Sequence, residues 1–191
     1  MKIRESDMPS EEKWAKLFDP NKVLNLLGVN SSVNDVADFG CGYGTFAIPA
    51  AQVISGRVFA LDIEPEMVET VKRKAEELHL NNIVAVLRDF ITDGSGLASS
   101  SVDFVFLFNI LHAEDPIQIL KEAYRILMSG GRVGIVHWRH VRKFRDDPCM
   151  KMLPTLKQCV RFAESVGFLL EKKFDLNPYH FGIVLRKPPL T

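Results

Sequence analysis

The stretch Val36-Ala37-Asp38-Phe39-Gly40-Cys41-Gly42-Tyr43-Gly44 decides how the rest of the chain is read. Val36–Phe39 is a short apolar run interrupted by one acid, and it leads directly into glycines at alternate positions. Glycines so spaced let the backbone turn sharply and let a ligand approach it without side-chain interference. An apolar helical pattern, Thr45–Ile54, follows, with Pro49 tolerable only near its start. Strand, glycine loop and helix in that order place the loop at the carboxyl end of a strand, where open α/β sheets bind ligands.

Working outward, strand-like runs alternate with helical patterns. Arg57–Leu61 is the second strand. Pro65–Leu80 is an amphipathic helix with Met67, Val68, Val71, Ala75 and Leu78 on one face. Ile83–Leu87 is the third strand, and Val102–Phe108 is the fourth, apolar on both faces as a central parallel strand should be. Asp115-Pro116 opens a helix whose core face is Ile119, Leu120, Ala123, Ile126 and Leu127. Gly130-Gly131 is expected to stop it before a fifth strand, Arg132–His137. Val141–Pro154 is basic, contains proline and reads as irregular. Thr155 starts another helix, with Gln158 placed for a capping box, and Phe168–Phe174 and His180–Leu185 are two closing strands.

Upstream of the glycine loop, Ser10–Val29 reads as one or two short helices, broken at Asp19-Pro20 and ended by Gly28. Residues 1–29 are expected to form a helical cap within a single domain, 1–191. The alternation implies an open parallel sheet with helices on both faces. The last two strands are joined by only about five residues around Asn177-Pro178, too few for a parallel crossover of a dozen or more. The final strand is therefore expected to be antiparallel.

Composition narrows the function. The chain has 191 residues, enough for one domain with a full core and short for two. It has 24 basic and 24 acidic residues, a balance that gives no reason to expect nucleic-acid or membrane partners. Cys41, Cys149 and Cys159 are odd in number and lack metal-type spacing, so neither a zinc site nor a disulfide framework is expected. No apolar run approaches the roughly 20 residues of a membrane span. A soluble, cytoplasmic protein with reduced thiols is the expectation.

The spacing of the loop separates cofactors. A dinucleotide fingerprint beginning at Gly40 requires glycine at position 45, where Thr45 stands. An acid before the loop would also repel a pyrophosphate. Glycines 40, 42 and 44 preceded by Asp38 instead resemble the first motif of the class I S-adenosylmethionine-dependent methyltransferases. The resemblance implies that Asp38, Gly40, Gly42 and Gly44 hold the amino-acid portion and cationic sulfonium of that cofactor. Asp62, 18 residues beyond Gly44, can accept from both ribose hydroxyls, with Glu64 as the alternative. Ile63 and Met67 are placed to contact the adenine face. Asp89 can accept from the adenine amino group while the Phe90 ring covers the base, and the Phe90 backbone is an equally good adenine contact.

Val102–Pro116 is similar to the fourth motif of the small-molecule group that includes the ubiquinone/menaquinone-biosynthesis methyltransferases. The similarity rests on Asp103, Asn109, Leu111-His112 and Asp115-Pro116. In such proteins the strand end at Asn109 faces the methyl group. Leu127–Ile135, with Ser129-Gly130-Gly131-Arg132, resembles the motif preceding the fifth strand. The resemblance covers roughly residues 30–140 and implies a Rossmann-like three-layer sandwich with a seven-stranded, mostly parallel sheet and an antiparallel last strand. Two departures stand out: Ala113 occupies a place where many relatives carry a second histidine, and the C-terminal third carries no transferable motif.

The implied activity is methyl transfer to a small-molecule acceptor by in-line displacement. A non-catalytic S-adenosylmethionine-binding protein and a methyltransferase acting on a macromolecule are the alternatives. A nicotinamide dehydrogenase is disfavoured by the missing glycine. No Asn/Asp-Pro-Pro-Tyr-type run follows the fourth strand, which argues against methylation of base amino groups. The cofactor carries the reactivity, so a catalytic residue is not obligatory. Where the acceptor bears a proton, a base contributes about 10²–10⁴-fold, and His112 is the candidate, the alternative being a packed or capping histidine. His137, Trp138 and His140 read either as an acceptor pocket or as strand-end surface. Trp14 and Phe18 read as a lid or as core. The run Arg139–Arg145, with Arg142 and Lys143, reads as a site for an acidic acceptor or as a solvated loop, and is too short for RNA.

Overall fold

The computed structural model describes residues 10–139 and 153–189. Two helices come first, α1 (Glu11–Ala15) and α2 (Pro20–Leu27). Asp19 caps α2 by accepting from the Lys22 N–H, Pro20 fills its first turn, and Gly28 ends it at φ 78°. Then follow β1 (Val36–Phe39), α3 (Ala47–Val53), β2 (Val58–Asp62), α4 (Pro65–Glu77), β3 (Ile83–Leu87), β4 (Val102–Phe108), α5 (Pro116–Ile126), β5 (Leu127–Trp138), α6 (Leu156–Val166), β6 (Leu169–Asn177) and β7 (His180–Arg186).

The seven strands form one sheet in the order β3-β2-β1-β4-β5-β7-β6. The first five are parallel to their neighbours, and β7 runs antiparallel to both β5 and β6. The short connection thus sets the direction of the final strand as expected. Its position is less obvious: β7 lies inside the sheet, and β6 takes the edge.

Helices cover both faces. Leu24 and Leu27 of α2 and Ala47 and Ala50 of α3 pack with Phe104 and Phe106 of β4. Ile119, Leu120 and Ala123 of α5 and Ala163 of α6 pack with Val105 and Leu107 on the opposite face. Alternate residues of β4 therefore serve two cores, which is why its sequence is apolar throughout. No helix among the described residues is long and apolar enough to cross a membrane.

Boundaries of three helices differ from expectation, and β6 runs to Asn177 rather than Phe174. α3 begins at Ala47, because Thr45 still belongs to the turn, and Pro49 is its third residue. α4 ends at Glu77, and His79 turns the chain at φ 53°. α5 ends at Ile126 rather than at Gly130-Gly131. Leu127 already pairs with Val102, and the ladder resumes at Phe104 and Arg132 after a register shift that Gly130 accommodates at φ 79°. Lys187 Nζ donates to the carbonyls of Tyr124 and Leu127, so the open helix end is closed by a side chain. The capping box at Thr155 and Gln158 and the Asp115 cap form as the sequence indicates. His140, Cys149 and the basic run beyond Arg139 lie outside the described residues. Cys41 and Cys159 are free and buried.

Gly56 shows how closely the loops are fitted. A Cβ there would lie 2.5 Å from the Asn34 carbonyl oxygen and 2.5 Å from Asp35 Oδ1. Gly56→Ala is expected to lower unfolding free energy by about 1–3 kcal/mol in chemical denaturation, since backbone must move to admit the methyl group. An unchanged denaturation midpoint would show that this turn yields freely.

The strand register positions the site. Phe39 is level with both Leu61 and Leu107, so β1, β2 and β4 end at the same height. The sheet order reverses between β1 and β4. The loops leaving these two strands therefore diverge, and a crevice opens between them.

Candidate functional site

That crevice is a cavity with an empty volume of about 1000 Å³, including the part open to solvent. Asp38, Gly40, Gly42, Asp62, Ile63 and Glu64 line one end, and Asp89 and Phe90 lie beyond them. Asn109 and His112 come from the far side, after β4. Gly44 and Met67 are not among the lining residues. A Cβ at Gly44 would lie 3.1 Å from Ile48 and 3.1 Å from Val71, so this glycine lets the loop sit tightly on α3 and α4. Met67 is buried in the first turn of α4.

The glycine loop is tied down from below. The N–H groups of Gly40 and Cys41 both donate to the Leu61 carbonyl, at 2.8 and 3.0 Å. Gly40 has φ +73°, and a Cβ on it would meet Ile110 at 3.0 Å. Glycine is thus required there both for conformation and for approach. Lys74 Nζ donates to the Tyr43 carbonyl at 2.6 Å and also pairs with Glu11 of α1.

Asp62 has a double duty. Its Oδ2 accepts from the Gly42 N–H at 2.8 Å, and its Oδ1 accepts from the Glu64 N–H at 3.0 Å. A carboxylate offers about four acceptor positions, so capacity remains for ligand hydroxyls. Burial raises its pKa, and the two N–H groups pull it back.

Asp38 is only 2% exposed. Burial foremost, and then the neighbouring charge of Asp62, push its pKa up to about 8. It is therefore a neutral acid at pH 7, and a cation placed beside it would favour its carboxylate form.

On the next strand end, Asp89 Oδ1 accepts from the N–H groups of Ile91 and Thr92, which turns the chain. The Phe90 ring packs on Phe39 with centroids 4.8 Å apart. Arg88 closes the loop by donating to the Gly94 and Asp93 carbonyls at 2.8 and 2.6 Å.

Asn109 and His112 are held differently. Asn109 has φ +53°, and its N–H donates to the Val136 carbonyl at 2.7 Å. Both atoms of its side-chain amide are shielded from water without a hydrogen-bond partner, and so is Nδ1 of His112. Burial lowers the His112 pKa below its usual 6.5. The ring meets His137 edge-on, at 5.6 Å and 82°.

His137 is buried and Trp138 half-buried, and neither lines the cavity. His137 is fully buried, with its ring stacked near Phe181 at 6.3 Å. Trp138 packs on His180 at 4.0 Å. The reason is the inserted strand: β7 pairs along β5 as far as Trp138 and His180, and covers the edge that the sequence left open.

Three aromatic wall residues were missed or left undecided by sequence. Phe46 and Phe108 line the cavity in edge contact at 4.6 Å, and Trp14 joins them from α1 while remaining 8% exposed. The available signal was the alternation Phe104-x-Phe106-x-Phe108, which puts three rings on one face of β4. Asp103, prominent in the resemblance, lies at the opposite end of β4. It accepts from the Asp35 N–H at 2.8 Å and fixes strand registry rather than a ligand.

Residues 36–131 match the methyltransferase domain family. The chain belongs to this family. It is 34% identical over 101 residues to aklanonic acid methyltransferase from a Streptomyces strain, covering 51% of this chain and 45% of that protein. It is 28% identical over 127 residues to demethylmenaquinone methyltransferase from Listeria welshimeri, covering 65% of this chain and 50% of the relative. The chain spans about half the length of these curated relatives. Among solved structures, a SAM-dependent methyltransferase from Aquifex aeolicus superposes with a TM-score of 0.80 at 25% identity, covering 95% of this chain and 94% of that one. The chain therefore has the seven-stranded fold that the family resemblance implied.

Proposed function

We propose that this methyltransferase domain binds S-adenosylmethionine and delivers its methyl group to a small-molecule acceptor. The observation that carries the reading is Asp38, a buried acid at the glycine loop whose ionised form a cationic ligand would stabilise. The surrounding residues fit the same group. Asp38, Gly40 and Gly42 suit an amino-acid portion with a sulfonium, and Asp62 keeps acceptor capacity for ribose hydroxyls. Ile63, Asp89 and Phe90 suit an adenine. Gly44 and Met67 support this end from behind. Asn109 and His112 close the end where the methyl would lie.

When bound, the cofactor supplies an electrophilic methyl group on sulfur. The chain's own part is to bind, orient and exclude water. The aromatic wall of Trp14, Phe46 and Phe108 keeps the acceptor end dry. His112, neutral at pH 7 because it is buried, can take a proton from the acceptor. Both named relatives carry small-molecule names, which supports a small acceptor.

Calorimetry with S-adenosylmethionine and S-adenosylhomocysteine tests this directly. Binding of both is expected, and a folded sample that binds neither refutes the proposal. Asp62→Ala should weaken binding by about 10–100-fold, the cost of hydrogen bonds to a charged group. Glu64→Ala should have a much smaller effect, and equal losses would remove the ribose assignment.

A further inference from the structure

The first helix is attached at its two ends by different means. α1 has five residues, Glu11–Ala15, and Ser10 makes no side-chain cap to it. So short a helix does not persist in water by itself, and tertiary contacts keep it in place. Just after it, the Leu17 carbonyl accepts from Asn177 Nδ2 at 2.9 Å. The buried Phe18 ring packs on His180 at 4.5 Å and on Phe46 at 5.4 Å. That end is fixed to the sheet. At the other end, the Glu11 carboxylate pairs with Lys74 of α4. Between the two lies Trp14, the buried residue of α1, which lines the cavity.

Lys74 differs from its neighbours on α4. Lys72 pairs with Glu69, and Arg73 with Glu77, each about one turn away on the same exposed helix surface. Such pairs contribute little. Lys74 reaches out of its helix. Its side chain is 21% exposed, and its ammonium donates both to Glu11, 63 residues away in sequence, and to the Tyr43 carbonyl at 2.6 Å. Two of its three donors therefore serve two separate segments. Tyr43 stands between Gly42, whose N–H is held by Asp62, and Gly44, which packs on Ile48 and Val71. One ammonium group thus joins the glycine loop to the leading end of α1. Parting Glu11 from Lys74 frees that end, and Trp14 can then swing out of the cavity wall while the attachment at Leu17 stays made.

We infer that Lys74 is a positioning residue that latches α1 over the cavity and ties this closure to the glycine loop, so that bound cofactor is released slowly while the latch is shut. The inference rests on the cofactor-binding reading above. Lys74 is not among the lining residues, so it acts through the Tyr43 carbonyl and Glu11 rather than by touching the ligand. Opening of α1 is a local equilibrium, and the release rate follows the fraction of molecules in which it is open.

The test uses the full chain with S-adenosylhomocysteine as the probe. Stopped-flow mixing measures the rate of its release. Acrylamide quenching measures the exposure of Trp14, in a Trp138→Phe background that leaves Trp14 as the one tryptophan. Lys74→Met removes both charged contacts and should speed release by about tenfold, with stronger quenching of Trp14. Glu11→Gln keeps the contact to Tyr43. It should speed release by about threefold, again with stronger quenching. The double variant should match Lys74→Met, because both changes open the same latch. Lys72→Met removes a charge from the same helix and should change neither reading.

Unchanged release and quenching in Glu11→Gln overturns the inference, even where Lys74→Met fails to fold. So does faster release in Lys74→Met without stronger quenching of Trp14, which would make Lys74 a support of the loop alone. Additive effects in the double variant, or an effect of Lys72→Met as large as that of Lys74→Met, also overturn it. A folded wild type that binds no S-adenosylhomocysteine overturns this inference and the methyl-transfer reading together, whereas the other failures leave cofactor binding standing.

Discussion

Asp38→Asn is expected to yield a protein that is more stable than the wild type above pH 8, yet binds S-adenosylmethionine about 10²–10³-fold more weakly. The two effects have one origin. The pKa of Asp38 rises from 3.8 to about 8 because the carboxyl is buried and faces Asp62. The folded chain therefore holds a proton that the unfolded chain has already lost at intermediate pH. Stability from this group is complete below about pH 4 and falls as pH rises toward 8, by up to about 1.4 kcal/mol per pH unit. Asparagine does not titrate and escapes that loss. In the ligand-free state the variant's urea midpoint should exceed that of the wild type by a margin that widens from about pH 5 to pH 8 and levels off above it.

Binding reverses the preference. A cation at the glycine loop favours the ionised form, so binding at pH 7 should release close to one proton. Calorimetry in two buffers of different ionisation enthalpy measures that number. Wild-type affinity should rise between pH 6 and 7.5, and the asparagine variant should show neither the rise nor the release. Unchanged affinity in the variant would remove Asp38 from the cation site.

The second large effect concerns His112. Replacement by alanine should lower turnover of a proton-bearing acceptor by about 10²–10⁴-fold and leave cofactor affinity nearly intact. Its pKa is depressed by burial, so the neutral base is already present at pH 7. Activity of the wild type should fall only on the acid side of the ordinary histidine range. That acid limb should vanish in the variant's residual activity. A variant that retains the limb, or that loses cofactor affinity in step with turnover, would make His112 a packing residue.

The glycine-loop end of the cavity was readable in sequence because its elements are local. Asp38, the alternating glycines and Asp62 lie within one strand–loop–helix–strand unit, and their spacing alone fixes where they meet. The direction of β7 was readable for a similar reason, since Pro178 and Tyr179 cannot carry a crossover. The aromatic wall of the cavity was less legible. Trp14, Phe46 and Phe108 come from three separate segments, and nothing local says that they share a wall. Gly44 illustrates the converse. Its place in the motif suggested ligand contact, while in the structure it packs on Ile48 and Val71, outside the cavity lining. The misplaced end of α5 had a tertiary cause as well. Leu127 could continue a helix, but pairing with Val102 satisfies its backbone in a strand.

The position of β7 between β5 and β6 has a consequence for the order in which the molecule assembles. β5 is finished at Trp138, but its second neighbour spans His180–Arg186, more than forty residues later in the chain. Closing so long a loop precedes any gain from the contacts it brings, which slows folding. During synthesis the β1–β4 half, with the glycine-loop end of the cavity, can therefore form first. Meanwhile β5 waits with one row of amides open to any passing strand, a period of exposure during which self-association competes with completion.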